Sequence, residues 1–541
     1  MSILFDEAPR RTPANATLSL DARGTVLIQM VPRATLTLVT LPFLAALGCT
    51  SADSSTAPTT SGATAGAGGG ATGAGASSAS ASSSTSSASS SVASSAASTG
   101  SGGSSCVGPK PSSFPYEPPC CGYSVAIPEV KESGFDDGNG KAPPDHVHVG
   151  LAGPSDTSFV VGWRTDDATT VTRMLVGTDK AAVEAANDAT AKVALYAGHH
   201  ILYGSALDGD NPTRHHEVHA CGLAPATSYH YKVGGPGGWS TVHTVSTGPT
   251  VGSSEPLRIA VLGDSRNDPS VFAKIEEALA GKGVDLQIFT GDAVATGAMQ
   301  TQWNKWFEST SGSFSVEAML ASAPFMPVNG NHEGLAINYP AQFAMPQDLA
   351  TNEKAQGEEY YSFEYGNAHF IALNDTPEAG ALAATPQVAW LKADLSKVDR
   401  KKTPWLFVMH HRSTYSCGNH GSDLDLRKAW QPLFDEYKVD VVFSGHDHLY
   451  ERSKPIRGLS GSTGILAMAG PKGTPVKGSG TLYVVTGGAG APLYDVGTDC
   501  DHTFVTEKTR NYVVVDLNGT TLSLKAYRLD GSVLDELEFT K

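Results

Sequence analysis

These 541 residues lack any basic stretch, or interleaving of basic with aromatic residues, of the kind that would favour nucleic acid. Acids outnumber bases, for a formal net charge of −16. A nucleic-acid surface is thereby disfavoured, because a polyanion would meet repulsion at long range. A membrane span is also missing from the N-terminal region. Its apolar run, Ala34–Leu47, falls short of the ~18 residues a spanning helix needs. From Thr59 to Ser105 the chain is almost entirely Ser, Ala, Gly and Thr, with Val92 the exception. Such a segment cannot bury enough apolar surface to offset its ordering entropy, so a flexible tether is expected. As a random coil, residues 50–105 would span roughly 40 Å. Cysteine is scarce, with seven in the whole chain.

What is present begins with an export signal. Residues 1–29 are mixed and polar, and Met30 reads as the true start. Val31-Pro32-Arg33 supplies a short basic region ahead of the apolar run, and Ala46-Leu47-Gly48-Cys49 is similar to a bacterial lipobox. Cys49 is thus the candidate lipid anchor, and the membrane is a partner only through it. An ordinary cysteine after a plain signal peptide is the alternative. Setting Cys49 aside leaves Cys106, Cys120, Cys121, Cys221, Cys417 and Cys500, an even number that fits an oxidising compartment. Adjacent Cys120 and Cys121 are expected to bond to different partners, because a bridge between neighbours is strained.

Five segments follow from these compositional shifts: a signal region at 1–49, a linker at 50–105, an irregular Cys- and Pro-rich lead-in at 106–140, a small β-sandwich at 141–250 and a larger domain at 251–541. In the sandwich, His146–Leu151 and Thr157–Thr165 show strand-like alternation. Leu223, Pro225, Thr227 and Tyr229 form an L-x-P-x-T-x-Y pattern, which resembles the tyrosine corner of fibronectin-type sandwiches. His199, His200, His215, His216 and His219 carry no ligand spacing and read as polar loop and strand-face residues.

The larger domain holds the informative pattern. Five short apolar runs each lead into polar, metal-binding residue types. Leu257–Leu262 precedes Gly263-Asp264, and Val284–Thr290 precedes Gly291-Asp292. Phe325–Val328 leads to Gly330-Asn331-His332-Glu333, Trp405–Met409 to His410-His411, and Val439–Phe443 to Gly445-His446-Asp447-His448. Each run is too short for a helix and unbroken in apolarity, so it reads as a strand buried on both faces. Ligands in open α/β sheets bind beyond the carboxyl ends of such strands, which predicts convergence of two Asp, one Asn and three His. Mixed oxygen and imidazole donors suit Zn, Fe or Mn better than Ca or Mg. Between the runs, Asp268-Pro269 to Gly281, Thr385-Pro386 to Lys397 and Ser422 to Tyr437 predict helices. Late strands at Thr481–Thr486, Tyr512–Leu517 and Thr521–Arg528 are expected to form a second sheet.

Taken in order, these motifs resemble the metallophosphoesterase series. With Leu449-Tyr450-Glu451-Arg452 and the preceding sandwich, they are similar to its purple acid phosphatase branch. The resemblance covers about residues 141–541. It implies a fibronectin III-like β-sandwich followed by a four-layer αββα domain holding two metal ions, Fe, Zn or Mn. It places Asp264 and His448 on the first metal, Asn331, His410 and His446 on the second, and Asp292 between them. A metal-bound hydroxide would attack a small phosphorylated substrate in line. His332 would serve the leaving group as acid, and His420 would face substrate.

By strand alternation His411 is expected to point away, and Asp447 to lie behind the ligands. Arg266 and Arg412 are candidates for grasping phosphate with a guanidinium fork, solvent-exposed arginine being the duller reading. The chain departs from the pattern at Ala295, where the branch has a metal-binding tyrosine, and at Arg266, where others have histidine. The resulting expectation is an exported phosphomonoesterase. A phosphodiesterase on the same core is the alternative within the class, and a degenerate surface-binding protein the alternative outside it.

Overall fold

The computed structural model describes residues 16–20, 26–30 and 110–541, apart from 205, 209–211, 351–356, 377–384 and 499. Cys49, Cys106 and the 50–105 tether lie outside the described residues. Residues 1–100 and 101–541 are separate units. In the first, Ala16–Leu20 pairs antiparallel with Val26–Met30. No helix among the described residues is long and apolar enough to cross a membrane.

The second unit begins with the sandwich. Five antiparallel strands stand in the order Glu132–Phe135, His199–Tyr203, Thr213–Cys221, Ser158–Thr165, Asp145–Gly150. Four more run His243–Ser246, Ser228–Gly234, Arg173–Gly177, Ala194–Ala197. Alternate residues of both sheets, among them Val147, Phe159, Trp163, Val176, Val218 and Tyr231, meet in one buried core, as face-to-face sheets require. The Tyr229 hydroxyl accepts from Ala224 N at 2.9 Å, the bond of a tyrosine corner. The lead-in departs from its expected irregularity, because Glu132–Phe135 pairs with His199–Tyr203 as an edge strand. The sandwich histidines are buried, not in loops. The His216 ring, for example, is held between the Thr165 and Thr172 hydroxyls at 2.7 and 2.8 Å.

The larger domain stacks two sheets. One has six strands in the order Phe325–Pro327, Leu286–Phe289, Leu257–Leu262, Asn511–Asn518, Thr521–Arg528, Val533–Thr540. Its first three are parallel, and the pairings from Leu257–Leu262 onward are antiparallel. The other has seven, Tyr361–Tyr365, Ala368–Ala372, Trp405–Met409, Val441–Ser444, Leu482–Thr486, Tyr450–Ser453, Thr503–Glu507. The late strands therefore do not make a sheet of their own. Leu482–Thr486 pairs parallel with Val441–Ser444, while Asn511–Asn518 pairs antiparallel with Leu257–Leu262.

Residues from both sheets share one core, and the Trp405 and Phe539 rings meet edge to face across it. Helices Pro386–Lys397 and Leu424–Tyr437 cover the outer face of the seven-stranded sheet, burying Leu391, Leu395, Trp430 and Phe434 against Leu406, Val408 and Val442. Helix Pro269–Ala280 buries Phe272, Ile275 and Leu279. It starts as the sequence predicts, with the Asp268 carboxylate accepting from Ser270 N and Pro269 in the first turn. The predicted cap at Ser422 is displaced by one residue. Asp423 accepts from Asp425 N and Leu426 N, while the Ser422 hydroxyl accepts from Ser416 N.

Candidate metal centre

The five apolar runs divide between the two sheets, three on one and two on the other, and the residues after them meet at the strand ends. The chain reverses sharply there. Asp264 and Asp292 both have φ of 60° and His446 has 68°. This left-handed region costs a non-glycine residue on the order of 1–3 kcal/mol, and such strain clusters at functional sites. Glycine lets the backbones come close. A Cβ on Gly445 would stand 2.2 Å from Asp264 Oδ2, and one on Gly330 2.3 Å from Asp292 Oδ1.

Asp264, Asp292 and His411 are buried, and each offers a ligand atom within 4.8 Å of the others. The His411 ring donates from Nδ1 to Thr290 O at 2.8 Å, which aims Nε2 inward. That Nε2 lies 2.9 Å from Asn331 Oδ1, 3.3 Å from Asp292 Oδ1 and 3.3 Å from His446 Nδ1. His448 is oriented in the same way, donating from Nδ1 to Pro492 O at 2.6 Å and leaving Nε2 3.4 Å from Asp264 Oδ1. His446 N donates to Asp264 at 3.1 Å.

The electrostatics follow the geometry. Burial opposes ionisation of Asp292, but His411, His332 and Arg266 hold it well below the usual carboxylate range. Burial likewise opposes charge on His411, yet the Asp292 carboxylate pushes it up to about 10. His446 is pressed well below 6.5 by burial and by the neighbouring charges of His411 and His420.

His410 requires correction. Its ring is fully buried on the helix side of the sheet, Nδ1 3.2 Å from Asp375 Oδ2 and Nε2 3.1 Å from the Thr414 hydroxyl, edge-on to Trp430. His411 takes the place expected of His410. The cause is alternation along Trp405–Met409. Trp405, Phe407 and Met409 face the inter-sheet core, while Leu406 and Val408 face the helices. Carried two residues on, the same alternation sends His410 outward and His411 inward. The sequence does contain that rule, but an unbroken apolar run does not say which face is which.

The remaining side chains surround this cluster. His332 donates from Nδ1 to Ala295 O at 2.8 Å, and its Nε2 lies 3.8 Å from Asp292 Oδ2. Glu333 accepts from Asp292 N, Ala293 N, Val294 N and Gly330 N at 2.9, 2.8, 3.3 and 2.8 Å, tying two loops to one carboxyl. Burial, with the adjacent Asp292 charge, pushes Glu333 up to about 7. His420 stacks on His446 with centroids 4.1 Å apart, and its N donates to Asp447 Oδ1 at 2.8 Å. Burial raises Asp447 from its ordinary value. Tyr494, which sequence reasoning missed, stacks on His448 at 4.0 Å and stands edge-on to His420. No motif signals it, because it arrives on the loop that Cys417–Cys500 pins.

Arg266 is not solvent-exposed: its side chain is 12% accessible, with Nε 3.4 Å from Asp292 Oδ2 and Nη2 3.4 Å from His448 Nε2. Arg412 is half-buried, and its backbone N donates to Asp375 at 2.5 Å.

A divalent cation fits these residues. Asp292 Oδ2 and His332 Nε2 are buried without hydrogen-bond partners, and a buried orphan carboxylate oxygen beside imidazoles is what a cation would satisfy.

Comparison with known proteins places the chain. Residues 257–450 match the calcineurin-like phosphoesterase family, and residues 144–247 match the purple acid phosphatase N-terminal domain. An uncharacterized protein of Mycobacterium tuberculosis is 28% identical over 392 residues, 65% of this chain and 70% of that one. Purple acid phosphatase 21 of Arabidopsis thaliana is 29% identical over 333 residues, 59% of this chain and 68% of that one. Among solved structures, a purple acid phosphatase from yellow lupin (Lupinus luteus) seeds superposes with a TM-score of 0.60 at 19% identity, covering 74% of each chain. At that identity the likeness is one of fold.

Proposed function

Because this chain is a metal-dependent phosphoesterase, with a purple acid phosphatase N-terminal domain ahead of a calcineurin-like phosphoesterase domain, we propose that it hydrolyses phosphomonoesters of small substrates outside the cytoplasm. The observation that carries the reading is the buried convergence of Asp264, Asp292 and His411 beside a partnerless His332 Nε2. The resemblance pairs two cations. This chain offers one full donor set, Asp292, Asn331, His411 and His446, and a thinner one, Asp264, Asp292 and His448. A divalent cation held by these residues would supply Lewis-acid activation of water and neutralisation of the phosphate oxygens.

The protein's own groups do the rest. His411 and His448 keep their Nε2 atoms aimed inward because Thr290 O and Pro492 O hold the opposite ring nitrogens. His332 is oriented by Ala295 O so that Nε2 faces the site. With Nε2 3.8 Å from Asp292 Oδ2, it is the group proposed to deliver a proton to the departing alkoxide. Arg412 and His420 remain the proposed groups for the other phosphate oxygens and the leaving group, His420 lying stacked on His446.

Disulfides Cys121–Cys221 and Cys417–Cys500 support an oxidising compartment, in keeping with an export signal and a lipid anchor at Cys49. The test is a panel of aryl phosphate and bis-aryl phosphate assayed with metal-loaded protein, before and after excess chelator. Chelator-sensitive turnover of the monoester is expected, and Asp292→Ala should abolish it. Turnover of the diester alone would move the reading to a phosphodiesterase. Absence of both bound metal and turnover would overturn it.

A further inference from the structure

Arg266 stands against the thinner donor set. Its Nε faces Asp292 Oδ2 and its Nη2 faces His448 Nε2, each at 3.4 Å, and that same His448 nitrogen lies 3.4 Å from Asp264 Oδ1. These are the atoms a first metal ion would need. We propose that the Arg266 guanidinium is a built-in cation replacing the first metal ion, so that this chain holds a single metal ion on Asp292, Asn331, His411 and His446. The proposal rests on the phosphoesterase reading above.

Three observations converge on it. First, a guanidinium carries donors and no acceptor and stays charged, so it cannot ligate a metal and repels one placed beside it. It can, however, donate to the His448 lone pair and attract both carboxylates. Second, the thinner set lacks a further ligand that the resemblance would place at Ala295. Ala295 brings only a methyl group, and its carbonyl is taken by His332. Third, Arg266 is packed, not free to swing, with its side chain 12% accessible and its Nε fully enclosed. Charge balance still serves the reaction. Two carboxylates against one divalent ion and one guanidinium leave a net positive charge to receive a phosphate dianion. The guanidinium's remaining N–H groups form a fork that matches phosphate oxygens.

The experiment uses the full chain, stripped with chelator and titrated with Mn(II) alone. Metal content and the electron paramagnetic resonance spectrum are read alongside turnover of an aryl phosphate. Wild type is expected to take up one Mn(II) per chain, to show an uncoupled signal and to turn over the ester. Arg266→His, which exchanges the cation for an imidazole donor, is expected to take up two and show an exchange-coupled signal. Arg266→Lys is expected to stay at one. Wild type that binds two coupled ions and turns over the ester overturns the proposal and leaves the phosphoesterase reading standing. Wild type that binds none and shows no turnover overturns both.

Discussion

Two adjacent histidines with the same chemistry do different work here, and their surroundings decide which. His411 turns its Nε2 to Asn331 and Asp292, whereas His410 spends both nitrogens on Asp375 and Thr414 beneath Trp430. His411→Ala should therefore empty the metal site and cut turnover by more than ~100-fold, since even outer contacts to ligands carry factors of that order. His410→Ala should keep its metal and lose on the order of 2 kcal/mol of stability, from a cavity and two broken hydrogen bonds. Metal analysis and denaturant melts of both variants check the pair. His332 separates chemistry from binding. His332→Ala should lower turnover by ~10²–10⁴-fold, the usual worth of a positioned acid, with metal content near that of wild type. An emptied site in that variant would make His332 a ligand instead. The residue types and their order are readable in the chain, but the inward member of the His410-His411 pair is not. That choice depends on which face of Trp405–Met409 meets the other sheet.

Elements supply the positions, and their boundaries are only partly written locally. Asp268-Pro269 announces its helix because both cap and first-turn proline are contiguous in sequence. Asp423 and Ser422 are neighbours that could each cap a helix, and the Ser416 amide, which binds Ser422, settles the matter. Helix Pro269–Ala280 also carries a buried acid, Glu276, beside strand Leu286–Phe289. With its amide turned to face Glu276, Gln287 donates to both carboxyl oxygens at 3.1 and 3.0 Å. Burial pushes Glu276 from 4.5 up to about 8. The folded state thus holds this proton more tightly than the unfolded chain, so the stabilisation is complete below pH 4.5 and fades as pH rises to about 8. Glu276→Gln removes the titration. Its melting temperature relative to wild type should climb across that window, by the equivalent of a few kcal/mol. A difference that stays flat with pH would mean that Glu276 is charged in the fold.

Across the whole molecule, the site exists because two sheets present their strand ends to one another, and loops remote in sequence are tied across the gap. Cys417–Cys500 closes 83 residues of separation and anchors the loop that brings Pro492 O to His448 and the Tyr494 ring over it. Replacing both cysteines by alanine should cost about 2–4 kcal/mol and should slow turnover more than removing Cys121–Cys221, which joins the lead-in to the sandwich. Melts and steady-state kinetics of the two double variants test this ranking. Glu333 works at the same scale, one carboxyl receiving amides from the loops of two strands. The sequence by itself determined the domain order, the buried strands, the chemistry of the donor set and Asp264, Asp292, Asn331, His446 and His448 as its candidates, because apolar runs and the residues ending them are local facts. Only the tertiary structure decided the division of the strands between two sheets, the inward turn of His411 and the placing of Arg266 against Asp292 and His448. Each of these depends on which surfaces pack face to face, and packing partners are chosen by the whole chain.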